Sequence, residues 1–148
     1  MSNASPLSFQ TTLEVRDRCL CLATQRAARS LARRFDEVLR PHGLNNGQFS
    51  LLMALNRPQA PTMGAVAEVL AMDRTTLTAA LKPLERRGLV SLAPDLNDRR
   101  SRRISLTDAG REALAGALPI WRQTHDEIDA EMATLAPGVL REALWSLA

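Results

Sequence analysis

Apolar residues recur at helical spacing along most of the chain, and this pattern predicts a mainly α protein. Across residues 12–40 the spacing is unbroken, so we expect one long helix there, ended by Pro41 and Gly43. Further helices are expected over residues 45–56, 63–70, 73–87, about 107–129, and from 134 or 137 to 147. The small and polar stretch Met1–Ser8 is expected to be a frayed tail.

The helix that begins after Asp73 has an apolar face and a polar face. Residues at helical spacing would face a core, namely Leu77, Ala80, Leu81 and Leu84. Short polar and basic side chains are left on the outer face, namely Arg74, Thr75, Thr78, Lys82 and Arg86. The carboxylate of Asp73 can cap the first turn, and Gly88 can end the helix in the left-handed conformation. Because Pro83 lies inside the helix, we expect a kink near Ala79–Lys82 or packing that tolerates the proline.

After this helix the pattern changes to short strands. Leu89–Ala93 and Arg103–Leu106 are strand-like, and Pro94–Arg102 between them is a hairpin tip with an arginine cluster. The preceding helix, Met63–Leu70, is capped by Thr62, and a tight turn links it to the helix after Asp73. Two helices followed by a basic hairpin suit DNA recognition, with the second helix in the major groove and the hairpin in the adjacent minor groove.

These residues carry a family resemblance. The runs LKPLERRGLV, DLNDRRSR and ISLTDAG resemble the winged helix-turn-helix of the MarR family of bacterial transcription regulators. The most specific part is the wing signature Asp98-x-Arg100 followed by Leu106-Thr107-x-x-Gly110. The resemblance extends from about Leu13 to the end of the chain.

The resemblance implies a mainly α fold with a small β wing, in which a winged helix-turn-helix core is joined to N- and C-terminal dimerisation helices. We therefore predict one domain over residues 1–148, with a DNA-binding lobe at 44–107 and dimerisation helices at 12–41 and 108–148. A homodimer also suits the physics, because two recognition helices about one DNA turn apart would read a near-palindrome.

The charge distribution agrees with a polyanion partner. The net charge is only +3, but the segment from Arg74 to Arg111 holds nine basic and four acidic residues. After Arg111 there are two arginines and six acids. One basic and one acidic end are typical of a nucleic-acid-binding protein. A solvated arginine-rich face is the alternative interpretation.

Candidate DNA-binding residues fall in two groups. On the recognition helix they are Arg74, Thr75, Thr76, Thr78 and Lys82, which can reach phosphates or base edges. On the wing they are Asp98, Arg99, Arg100 and Arg102. We expect Arg100 to enter the minor groove, and the resemblance implies that Asp98 braces it. Arg99, Arg102 and Arg103 would serve phosphates or the fold of the wing.

Two cysteines, Cys19 and Cys21, would lie about 200° apart around one helix, which argues against an intrahelical disulfide. The position of Cys21 is similar to that of the reactive cysteine in the organic-hydroperoxide-sensing branch of the family. That branch uses tyrosines to bind the sulfur, whereas this chain has no Tyr, and Phe35 and Asn46 occupy the corresponding places. A core or interface cysteine, inert in an apolar setting, is the alternative to a thiol sensor.

The resemblance also implies a small anionic aromatic or lipophilic effector bound between the dimer helices and the DNA-binding lobe. Candidate residues for this crevice are Arg16, Arg26, Arg29, His42, Phe49, Met53 and Trp121. Residues of these types more often serve packing or face solvent, which is the alternative for each. Binding there would shift the spacing of the two recognition helices.

No constellation in the sequence predicts catalysis, a metal site or a cofactor. No run approaches the length of a membrane helix and no secretory segment follows the start, so we expect a cytoplasmic protein. We predict a DNA-binding transcriptional regulator, a homodimeric repressor released from a pseudo-palindromic operator by an effector. The alternatives are a winged-helix protein-interaction module and, within the family, a hydroperoxide sensor using Cys21.

Overall fold

A computed structural model describes residues 7–148. The frayed tail expected for Met1–Ser8 lies mostly outside these residues, and Ser8 itself is a helix cap. The elements in chain order are α1 Phe9–Arg18, α2 Leu20–Leu39, a 3₁₀ turn Arg40–His42, α3 Asn46–Ala54, α4 Met63–Val69, α5 Arg74–Arg86, β1 Val90–Pro94, β2 Arg102–Leu106, α6 Asp108–Glu131 and α7 Pro137–Ser146. The architecture is mainly α with a two-stranded antiparallel wing, as predicted. The chain divides into two compact units between Arg34 and Phe35, and each is described by itself.

The expected single helix over residues 12–40 is wrong, because the chain breaks at Cys19. The backbone of Cys19 is extended, with φ −78° and ψ 104°, and it ends α1. Its Sγ accepts a hydrogen bond from the backbone N–H of Leu22 at 3.3 Å, so the side chain caps the start of α2. Cys19 and Cys21 are therefore not on one continuous helix. Apolar residues keep their helical spacing across Cys19, so the sequence pattern did not predict the break.

The core of the second unit lies under the helix-turn-helix. Its fully buried side chains come from α2 through to the wing and include Leu39, Leu52, Val66, Leu77, Leu81, Leu84 and Ile104. Phe49, Leu51 and Leu52 of α3 and its C-cap Leu55 are buried, whereas Met53 is only partly buried. Neither Pro83 in α5 nor Pro119 in α6 ends its helix.

Three helices end in the same hydrogen-bonded motif, but with different residues at the left-handed position. After α5, Gly88 has φ 72°, with its N–H bonded to Glu85 O and the N–H of Leu89 bonded to Leu84 O. The end of α2 and its 3₁₀ turn uses Gly43 at φ 72°. At the end of α4 the same position holds Ala71, with φ 51°. A residue with a Cβ is strained in this conformation.

We expect Ala71→Gly to raise the free energy of unfolding by about 0.5–1 kcal/mol, because removal of the Cβ relieves the left-handed strain. Urea unfolding followed by circular dichroism measures this change. Ala79→Gly, at an exposed position inside α5, is the matched control and should lower the free energy of unfolding by about 1 kcal/mol. Equal destabilisation by both substitutions would contradict the strain at Ala71.

The wing pairs β1 with β2 in the register Val90–Leu106 to Pro94–Arg102, so β1 lies one residue later than predicted and β2 begins one residue earlier. Arg103, the second residue of β2, also forms a bridge to Thr62, in the segment between α3 and α4. Consequently the wing is attached to the chain that enters α4, the first helix of the helix-turn-helix.

Candidate nucleic-acid interface

The recognition helix α5 buries one face and exposes the other. Leu77, Leu81 and Leu84 are buried, as predicted, and Ala80 is partly buried. The candidate DNA-binding residues on the opposite face are all exposed, namely Arg74, Thr75, Thr76, Thr78 and Lys82. The helix therefore packs on the apolar core through one face and presents a polar surface to solvent on the other.

The threonines on this surface are not equally free to bind a ligand. Thr76 donates its N–H and its hydroxyl to the Asp73 carboxylate, at 2.7 Å and 2.8 Å. The hydroxyl of Thr78 donates to the carbonyl of Arg74 at 2.8 Å. The two bonds from Thr76 hold the pKa of the Asp73 carboxyl below its ordinary value, so this cap is charged at neutral pH.

Arg74 lies across the first helix of the motif. A Cβ built on Gly64 would lie 3.0 Å from Nη2 of Arg74, so the guanidinium rests on the backbone of α4 at Gly64. Gly64 makes this close approach possible. The charge of Arg74 is thus presented at the start of α5, between the two helices.

The wing tip carries three exposed arginines, Arg99, Arg100 and Arg102. Asp98, for which the resemblance implied a bracing role, contacts the backbone of Arg100: its Oδ1 accepts from the N–H of Arg100 at 2.9 Å. The carbonyl of Asp98 also accepts from the N–H of Ser101 at 3.0 Å. These two bonds close a turn that fixes the backbone at Arg100.

Arg103 serves the fold of the wing, which is one of the two roles considered for it. Its Nη1 donates to the carbonyl of Ala60 at 2.6 Å, and its Nε lies 3.3 Å from Oδ1 of Asp95. Asp95 is a buried partner that sequence reasoning did not single out. The sequence pattern of the hairpin did not predict the contact between Arg103 and Ala60, because these residues are 43 positions apart.

Three of the effector candidates meet in the second unit. The rings of Phe49 and Trp121 stack with centroids 5.6 Å apart. They line a surface cavity of about 410 Å³ together with Met53, and its walls also include Trp145 and Arg57, which were not predicted. His42 is exposed on the 3₁₀ turn and is not among the residues that line this cavity. Arg16, Arg26 and Arg29 are exposed in the first unit.

A second aromatic contact places a histidine beside this cavity wall. The ring of His125 lies 4.4 Å from that of Trp121 and 4.7 Å from that of Phe35, centroid to centroid. Burial lowers the pKa of His125, and the nearby Arg141 adds to this, whereas Asp129 and Asp126 oppose it. Asp129 itself forms a bidentate pair with Arg141, at 2.9 Å and 3.1 Å, which joins α6 to α7.

A histidine held neutral in the folded state makes stability depend on pH. Below the ordinary histidine pKa of about 6.5 the unfolded chain binds a proton that the folded chain resists, so the free energy of unfolding should fall as the pH falls. Urea unfolding between about pH 7.5 and about pH 5.5 tests this. The dependence should weaken in His125→Gln, with His42→Gln as the exposed control. An unchanged dependence in His125→Gln would refute the assignment.

The two cysteines have different settings. Cys21 is exposed near the start of α2, and its sulfur accepts a hydrogen bond from the side-chain amide of Gln25 at 3.2 Å. Phe35, one of the two residues at the tyrosine positions, is buried. Asn46, the other, donates its backbone N–H to Asp36 at 2.7 Å. Cys21 is thus exposed in the single chain and does not lie in its core.

Comparison with known proteins identifies the family. A family model described as the MarR family matches residues 42–101. The M. tuberculosis transcriptional regulator MosR, solved in complex with DNA, is 38% identical with a TM-score of 0.79, over 88% of this chain and 93% of that one. The transcriptional repressor CouR, solved on a 23-mer DNA duplex, is 30% identical with a TM-score of 0.71, over 97% of this chain and 96% of that one.

A third similar protein is the transcriptional activatory protein BadR of Rhodopseudomonas palustris, 39% identical over 72 residues. These residues are 47% of this chain, and the match spans only 41% of the length of BadR. The chain belongs to the MarR family of winged-helix transcriptional regulators, which are not enzymes. Among residues 7–148, no helix combines the length and apolar character needed to cross a bilayer.

Proposed function

We propose that this protein is a homodimeric, sequence-specific regulator that binds double-stranded DNA at a pseudo-palindromic operator. The observation that carries the proposal is the arrangement of α5 and the wing. The helix buries Leu77, Leu81 and Leu84 and leaves a polar face in solvent, and an arginine-tipped hairpin follows it. Helix and hairpin together match the two grooves of a duplex. The DNA complexes of MosR and CouR support the same assignment.

Within this proposal the two elements have different tasks. The recognition helix enters the major groove, where Arg74, Thr75 and Lys82 contact base edges or phosphates. Thr76 and Thr78 are in intramolecular hydrogen bonds, so their free lone pairs and methyl groups remain for the DNA. Arg100 enters the minor groove, with Asp98 fixing its backbone. Arg99 and Arg102 neutralise phosphates on either side.

Exposed apolar side chains in both units support dimerisation. In the first unit, Phe9 is 75% exposed and Leu20 is 67% exposed. At the end of α7, Trp145 is 71% exposed and the C-cap residue Leu147 is 64% exposed. Large apolar side chains that cluster at the surface mark protein–protein interfaces. Helices α1, α2, α6 and α7 are the proposed dimerisation helices, and residues 44–107 are the proposed DNA-binding lobe.

The cavity beside Trp121 supports release by an effector. Its walls are aromatic and aliphatic, and Arg57 supplies a positive charge. A small anionic aromatic or lipophilic molecule fits this chemistry. We propose that the free protein represses and that the effector weakens DNA binding by changing the spacing of the recognition helices. A thiol route through the exposed Cys21 is the second candidate.

Selection from a random-sequence duplex library tests the proposal. The purified protein should enrich two inverted half-sites with centres about one DNA turn apart, and the complex should contain two chains per duplex by analytical ultracentrifugation. No enrichment, with weak and salt-insensitive binding, would favour a protein-interaction module instead.

An organic hydroperoxide should release the wild-type protein from DNA, but not the Cys21→Ser variant, if the thiol route operates. Release of both, or of neither, would exclude that route.

A further inference from the structure

The wing contains a buried carboxylate in an otherwise exposed hairpin tip. Asp95 is 8% exposed, whereas its neighbour Leu96 is 99% exposed. Among residues 7–148, Asp95 is the one charged residue that is buried. Aspartate is almost never buried without a partner, because loss of hydration is costly for a charged group. A negative charge beside a DNA-binding surface also opposes phosphate binding, so Asp95 needs a structural explanation.

The contacts of Asp95 hold the two ends of the tip together. Its Oδ1 accepts from the backbone N–H of Asn97 at 3.1 Å, and its own N–H donates to the carbonyl of Ser101 at 3.0 Å. Its carboxylate also faces the Nε of Arg103 at 3.3 Å. The bond from Asn97 holds the pKa of the Asp95 carboxyl below its ordinary value against the effect of burial, and Arg103 adds to this.

Arg103 continues this connection into the body of the lobe. Its Nη1 donates to the carbonyl of Ala60 at 2.6 Å, and its backbone bridges to Thr62. The next residue, Ile104, donates its N–H to the carbonyl of Pro61 at 3.0 Å. One guanidinium therefore contacts both the wing tip and the segment that leads into the helix-turn-helix.

We infer that Asp95 and Arg103 are positioning residues, which fix the wing tip relative to the helix-turn-helix so that Arg99 and Arg100 reach the DNA together with α5. The inference rests on the proposed DNA-binding function. Neither residue needs to touch the DNA, since Asp95 is buried and the Nε and Nη1 groups of Arg103 both contact protein atoms.

The substitution Asp95→Asn distinguishes a purely electrostatic role of Asp95 from a positioning role, because the two roles predict opposite changes in DNA affinity. Asp95→Asn keeps the shape of the side chain and its acceptor for Asn97, but removes the charge that holds Arg103. If Asp95 acts only as a charge near the DNA, its neutralisation should tighten binding. If it positions the wing, Asp95→Asn should weaken binding on the order of tenfold, within the range expected for loss of a base-directed arginine. Glu85→Gln, at an exposed acid on α5, is the control for charge and should not weaken binding.

The experiment uses the full chain and a duplex that the wild type selects from a random library. Dissociation constants are measured for wild type, Asp95→Asn and Glu85→Gln, on this duplex and on a shortened one that lacks the outer base pairs contacted by the wings. The tenfold loss is expected on the long duplex only. In an Arg99→Ala/Arg100→Ala background, Asp95→Asn should cause no further loss, because coupled residues are not additive.

Several outcomes would overturn the inference. Binding by Asp95→Asn that equals or exceeds that of the wild type would show that Asp95 does not position the wing. An equal loss on both duplexes would indicate general damage to the lobe, as would a lowered unfolding midpoint that accounts for the loss. Arg103→Lys, which keeps one charge but cannot contact both partners, should reproduce the loss on the long duplex. Failure of the wild type to select any duplex would instead reject the proposed function.

Discussion

Gly110→Ala is expected to lower the free energy of unfolding by roughly 3 kcal/mol or more, because the substitution forces α6 away from the wing. A Cβ on Gly110 would lie 2.1 Å from the carbonyl oxygen of Leu89, which is a backbone atom that cannot turn aside. The same oxygen accepts the N–H of Thr107 at 3.1 Å, so any retreat of Leu89 also loses this bond. Urea or thermal unfolding followed by circular dichroism measures the effect.

Gly116→Ala is a matched control on the same helix. A Cβ on Gly116 meets no atom within 4 Å, so alanine should raise the free energy of unfolding by about 1 kcal/mol through its higher helix propensity. The two alanine substitutions should thus have opposite signs. Equal stability of the two variants would mean that α6 does not approach Leu89 closely.

Arg100→Ala is expected to weaken operator binding by about 1–3 kcal/mol, roughly 5–150-fold, while leaving the dimer and its stability unchanged. The side chain of Arg100 is exposed at the tip of the wing. The turn at this position is closed by the backbone N–H of Arg100 and the carboxylate of Asp98, so it does not need the arginine side chain. Fluorescence anisotropy with a selected duplex measures the affinity. Arg122→Ala, at an exposed arginine on α6, should bind as the wild type does.

The groove can be tested with the same variant. If Arg100 occupies a narrow minor groove, replacing A·T pairs by G·C pairs at the wing positions should weaken DNA binding. The loss of affinity should be larger for the wild-type protein than for the Arg100→Ala variant. Equal effects on both proteins would place Arg100 outside the minor groove. Wild-type affinity in Arg100→Ala would refute its assignment altogether.

Local signals in the sequence predicted much of the helix-turn-helix. Thr62, Asp73 and Thr107 each cap a helix through the N–H three residues on, at 3.2, 2.7 and 3.0 Å. These caps are readable because short polar side chains precede apolar runs. Cys19 was missed because a thiol is an unusual cap and helical spacing continues past it. Ala71 was missed because alanine is unusual in the left-handed position.

The candidate site divides in the same way. Exposed residues of α5 follow from periodicity, since the buried leucines define the opposite face. The roles of Gly110 and Arg103 do not, because they depend on contacts to Leu89 and Ala60 that only the folded chain brings together. The family signature contains Gly110, but the steric reason for it appears only where α6 approaches Leu89, the residue before β1.

The most direct test of the central claim is the affinity of the wild-type protein for a selected near-palindromic duplex across a salt series, with a scrambled duplex alongside. If about six phosphates are neutralised per dimer, affinity should fall roughly a thousandfold between about 50 mM and about 200 mM salt, with the selected duplex bound far more tightly throughout. Weak binding that is indifferent to salt and to sequence would contradict the assignment of α5 and the wing as a DNA-reading surface.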